Sequence, residues 1–169
     1  PGGSTNTVLT NVSSSAPIYM PDGHTMRFNG TYNNTSSLFM QSSYYGTTFL
    51  LESNVTLTGS GSVILSNHGG NYIYGTNAAL VLTNEGNTIS GCGQFGNNQL
   101  VIVNGPGGKI ESNVSGGMNI NPSNTGGFTN QGLLRVSGTG VLNIQDGPFT
   151  TSGAVVVDAG RKLDRTSGD

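Results

Sequence analysis

The chain has 169 residues, a net charge of −2, 28 Gly and no Trp, and only 8% of it is charged. Six Lys and Arg are too few to line a phosphate backbone, which argues against nucleic acid as a partner. The single cysteine, Cys92, rules out an internal disulfide framework and a multi-cysteine zinc site, and no apolar run approaches the ~20 residues of a membrane-spanning helix. Along the chain, short apolar clusters appear at Val8-Leu9, Ile18-Tyr19-Met20, Met26-Arg27-Phe28, Leu38-Phe39-Met40 and Phe49-Leu50-Leu51. They continue at Val55 to Leu57, Val63 to Leu65, Tyr72 to Tyr74, Leu80 to Leu82, Leu100 to Val103, Met118 to Ile120, Leu133 to Val136, Val141 to Ile144 and Val155 to Val157. Gly, Asn, Ser and Thr fill the gaps, and these residues favour turns because they tolerate left-handed backbone or bond their own main chain. Each cluster therefore reads as a short strand, and no stretch keeps helical spacing for more than a turn.

Local motifs recur along these strands. An aliphatic residue, a hydroxyl residue and Gly-x-Gly occur together at Leu57 to Gly61, Ile89 to Gly93 and Val136 to Gly140, which places Gly59, Gly61, Gly91, Gly93, Gly138 and Gly140 at corners. Asn67, Asn84 and Asn104 each close an aliphatic-x-Asn unit before a Gly-containing corner. Phe128 to Val136 repeats at Phe149 to Val157. The motifs, taken as in phase, predict a parallel β-solenoid with about 20 residues per coil. The Asn residues have two readings, as inward amide ladders or as caps of their own turns. Residues 1–52 lack the Gly-x-Gly corners and are richer in Met and aromatics, so they are expected to form an N-terminal cap or irregular first coils. Residues 53–163 are expected to form the coils and 164–169 a polar tail. Opening on Pro and closing on that tail, the chain reads as a processed or excised piece of a larger protein.

The run Leu80 to Gly96, followed by Gln99 to Asn104 and Gly108-Lys109-Ile110, resembles the repeats of bacterial secreted and surface β-solenoids, such as autotransporter passengers and filamentous-haemagglutinin-like adhesins. The resemblance covers about residues 53–163. It implies a right-handed parallel β-helix, an extracellular or cell-surface location, and structural or adhesive work, with no functional residue to carry over.

Catalysis on such a scaffold requires paired carboxylates, or a base beside calcium-binding acids, on one face. Asp22, Glu52, Glu85, Glu111, Asp146, Asp158, Asp164 and Asp169 are instead scattered singly. The Gly-rich turns at Gly105 to Lys109 and Thr125 to Gly127 lack the Asp of calcium-binding repeats. His24 and His68 have no second ligand at metal spacing. No catalytic, cofactor-binding or metal residue is therefore assigned. Tyr44, Tyr45, Tyr72 and Tyr74 either pack into a core or cap, or stack on sugar rings. The expected function is a non-enzymatic structural or adhesive solenoid, with copies of itself, in a filament built through the solenoid ends, or other surface proteins as partners. A carbohydrate-binding or carbohydrate-active β-helix module, with glycans as partner, is the alternative. Ice binding, suggested by Thr56-Leu57-Thr58, comes last because a regular Thr-x-Thr ladder is missing.

Overall fold

Apolar and polar residues alternate within the short clusters, and the computed structural model, which describes residues 7–166, turns that alternation into strands with one buried and one outer side. The strands stack in parallel as a β-solenoid of about 7 turns of ~23 residues, with no helix among the described residues. Each turn visits three faces. The first face holds the opening parts of β1 (Thr7–Ser14), β3 (Thr25–Asn34) and β5 (Thr47–Thr58), then β7 (Asn71–Gly75), β10 (Gly93–Phe95), β13 (Met118–Ile120), β16 (Leu142–Gln145) and β19 (Leu163–Thr166). The closing parts of the three long strands continue onto the second face, joined by β8 (Val81–Asn84), β11 (Val101–Asn104), β14 (Phe128–Asn130) and β17 (Phe149–Thr151). The third face is β2 (Ile18–Met20), β4 (Ser37–Met40), β6 (Ser62–Leu65), β9 (Thr88–Ser90), β12 (Lys109–Ser112), β15 (Leu133–Val136) and β18 (Ala154–Val157).

The core runs inside these faces as columns of like residues. On the third face Leu38, Val63, Ile89, Ile110 and Leu134 lie in successive register and are all buried. Each contributes roughly 1.5–3 kcal/mol by leaving water. The N-terminal coils fill their wider interior with rings: Phe28 and Phe49 stack with centroids 3.6 Å apart, and Tyr32 packs on Phe28 at 5.4 Å. Their long strands turn between faces at bulges, where Asn11 and Gly30 adopt positive φ and the Asn11 side chain accepts the Thr31 amide at 2.9 Å.

Three expectations change. The coil is longer than 20 residues because only some corners are short: Asn84 to Asn104 spans 20 residues, Asn104 to Asn130 spans 26 and Asn54 to Val81 spans 27. The Gly-x-Gly units are not all in phase. Gly59 and Gly61 turn the chain from the second face to the third, whereas Gly91, Gly93, Gly138 and Gly140 turn it from the third face to the first. The boundary at Ser53 falls inside β5, whose pairing continues on both sides of it, and β19 carries the coils through Thr166. Residues 1–6 and 167–169, including Asp169, lie outside the described residues.

Candidate functional site

The second face carries an amide ladder. In register, Tyr32, Leu57, Asn84, Asn104, Asn130 and Thr151 form one inward column that changes from apolar to polar midway. Asn84 Nδ2 donates to Asn104 Oδ1 at 3.0 Å, Asn104 Nδ2 to Asn130 Oδ1 at 2.8 Å, and Asn130 Nδ2 to Thr151 Oγ1 at 3.1 Å. Each amide also serves its own corner, through Asn87 O at 2.8 Å, Gly108 O at 3.3 Å and Gly132 O at 3.4 Å. The two readings of these asparagines are therefore both realised at Asn84 and Asn104. Buried amides tolerate this position because every polar group finds a partner. Asn67 is not part of the ladder. It sits at a third-to-first corner and reaches past Cys92 to the next coil but one, bonding Ser115 Oγ at 2.9 Å and the Gly116 amide at 2.8 Å. Asn130, Asn34 and Asn87 were missed as ladder residues because coil lengths vary; Asn130 lay within the Phe128 motif. Asn34 Nδ2 meets Asn87 Oδ1 at 2.8 Å.

At the third-to-first corner of the N-terminal coils, the aromatic residues gather on the outside. Tyr44 and Tyr45 are 79% and 81% exposed and meet edge to face at 4.8 Å. Their loop is held from below by Asp22, whose carboxylate accepts the amides of Ser43 at 3.0 Å, Tyr45 at 3.1 Å and Gly46 at 3.2 Å, and the Ser43 hydroxyl at 3.1 Å. The Ser43 amide is the main cause that holds the Asp22 carboxyl well below the usual carboxylate range; desolvation is the next largest influence and opposes it, and the Tyr45 amide and Ser43 hydroxyl add to the lowering. On the first face, the outward Tyr72 and Tyr74 are half-buried and edge to face at 6.4 Å, with the Tyr72 ring lying against Gly46. On the third face, Tyr19 and Phe39 stack in register with centroids 4.9 Å apart and planes 8° from parallel. The structure thus brings together the four tyrosines singled out in the sequence and adds Tyr19 and Phe39.

Arg135 lies between two of the carboxylates, with its Nε 3.7 Å from Glu111. Glu111, Arg135 and Asp158 run along the outer third face, with Lys109 Nζ 2.6 Å from Glu111 and Arg135 Nη2 2.8 Å from Asp158. Burial pushes the Glu111 carboxyl up, but the Lys109 and Ser137 hydrogen bonds and the Lys109 and Arg135 charges outweigh it and hold it below its ordinary value. This is an ion-paired surface with no free carboxylate pair. Cys92 is buried, and burial raises its thiol. His24 Nδ1 lies 3.0 Å from the Asp22 carbonyl, and His68 Nδ1 3.0 Å from Ser42 Oγ, both within turns. Among the described residues no three His, Cys, Asp or Glu could hold a metal ion. The outer column of the second face reads Thr31, Thr56, Thr83, Val103, Thr129 and Thr150, a single file beside Val81 and Val101 rather than a Thr-x-Thr pair of ranks. No family model, no curated protein and no solved structure matches the chain.

Proposed function

We propose that the chain is a non-catalytic, extracellular structural or adhesive β-solenoid that assembles with copies of itself through its open ends. The observation that carries this reading is β18. Its register with β15 directs Val155 and Val157 inward, yet they are 42% and 43% exposed, because no described strand lies beyond them. Beside them Phe149 and Leu163 are only partly covered. Ala154 N and Asp158 N donate back to Gly132 and Val136. By the alternation of a parallel ladder, the amides of Val155 and Val157 point to the open side. An apolar strand with unpaired amides is a template for another strand. At 8% charged residues, little repulsion opposes association. The resemblance to secreted surface solenoids supports an extracellular setting.

The test is negative-stain electron microscopy across a protein concentration series, with Val155→Pro as the control. Proline removes an outward amide while leaving the bonds to β15 intact. Filaments from the unaltered chain and their loss in the variant are expected. Monomers at every concentration, or filaments indifferent to the variant, would overturn the reading.

A further inference from the structure

The twelve Tyr and Phe rings follow one division: the outward ones all belong to the N-terminal coils. Tyr19, Phe39, Tyr44, Tyr45, Tyr72 and Tyr74 lie around a single corner, whereas Phe28, Tyr32, Phe49, Phe95 and Phe128 are buried and Phe149 faces inward at the C-terminal end. In the same outer columns further along, Tyr72 is succeeded by Gln94, Asn119 and Asn143, and Phe39 by Ile64, Ser90, Glu111 and Arg135. Strand propensity alone would not confine outward rings to one corner of half the coils.

We infer that this corner is a binding surface for a neutral polysaccharide, whose sugar rings stack on Tyr44, Tyr45, Tyr72 and the Tyr19–Phe39 pair. Three observations favour that ligand. The rings are set at nearly perpendicular planes, 82° between Tyr44 and Tyr45 and 86° between Tyr72 and Tyr74, so they offer separate platforms instead of one continuous greasy face. A pyranose fits such platforms, with an apolar face for the ring and hydroxyls for the tyrosine oxygens. The loop is pre-organised: Asp22 accepts its hydrogen bonds before any ligand arrives, so ordering costs little on binding. The neighbouring charges are already engaged, Asp22 by amides and Arg27 with Glu52 at 2.6 Å, so the surface presents no cation cluster for an acidic polymer. Neighbouring coils lie roughly 4.8 Å apart, so the rings of the N-terminal coils sit one behind another and suit a short stretch of an extended chain.

This inference does not depend on assembly through the ends. The chain has no Trp, so its six tyrosines report binding by their own fluorescence. The Val155→Pro form is titrated with hydroxyethyl cellulose and with soluble chitosan-free chitin oligomers, and its retention is measured on microcrystalline cellulose and chitin. Saturable binding to at least one neutral probe is expected, weakened about tenfold by combined Tyr44→Ala and Tyr45→Ala. Thr129→Ala, on the outer second face, should leave it unchanged. The exposure of Tyr44 and Tyr45 keeps the double variant foldable, which circular dichroism checks. The inference is overturned by no binding to any neutral probe, by binding that the double variant leaves intact, or by binding confined to anionic polygalacturonate.

Discussion

The N-terminal and C-terminal coils share one architecture but make their interiors differently. From β1 to β7 the core holds the rings of Phe28, Tyr32 and Phe49, and β1, β3 and β5 run long across two faces. From β8 onward the strands are short, and at the position of Tyr32 and Leu57 the interior carries Asn84, Asn104 and Asn130. Rings fill a wide coil by volume; the amides fill a coil by bonding from one turn to the next. The difference teaches that parallel stacking demands like residues above and below and leaves their chemistry open, provided each buried polar group is satisfied.

The sharpest break of that contrast is Asn104→Leu. It removes one of the two acceptors of the Asn84 amide, leaving only Asn87 O, and takes away the Asn104 donor from the Asn130 carbonyl oxygen. A loss of about 3 kcal/mol in chemical denaturation is expected, against less than about 1 kcal/mol for Asn67→Ala, whose amide is exposed at its corner. Equal effects at the two positions would show that the ladder adds nothing beyond turn capping. Next comes backbone conformation. Gly91 has φ +120°, and a Cβ there would land on the Leu65 carbonyl, so Gly91→Ala should cost about 2 kcal/mol. Gly69→Ala, with nothing within 4 Å of its Cβ and no left-handed φ, should be neutral or stabilising by about 0.5 kcal/mol.

Asp22 gives a smaller, local effect. Its folded-state carboxyl titrates below the ordinary range, so the stabilisation it supplies is complete above the unfolded value of about 4 and is lost as pH falls from there toward its depressed folded value. The amides of Ser43, Tyr45 and Gly46 should lose protection, relative to their intrinsic exchange rates, over that acid window, while the coils behind stay protected. Asp22→Ala should show the faster exchange already at neutral pH. The smallest effect is expected from Tyr44→Ala and Tyr45→Ala, each changing stability by no more than about 0.5 kcal/mol, since both rings stand in solvent. A larger loss would mean that the rings serve packing rather than recognition.

The strands and their parallel stacking were legible because the alternation of Val, Ile and Leu with Ser, Thr and Asn sets each strand locally. The register between coils was not legible. A corner can absorb several residues without disturbing the next strand, as the spans from Asn84 to Asn104 and from Asn104 to Asn130 show, so a fixed repeat length aligns the wrong residues. That is why Asn67 was grouped with Asn84 and Asn104 while Asn130 was not. Tyr44, Tyr45, Tyr72 and Tyr74 stood out as residues, but Tyr19 and Phe39 joined them only through a pairing across 20 positions. The Asp22 clamp is equally distant in sequence, 21 residues from Ser43.

An open template at the last coil makes amide hydrogen exchange at Val155 and Val157 depend on protein concentration, which is followed from dilute to concentrated protein. Fast exchange when dilute and strong protection on concentration, with the amides of Val63 and Ile89 protected throughout, is the predicted result. Exchange at Val155 and Val157 that is independent of concentration would contradict assembly through this end.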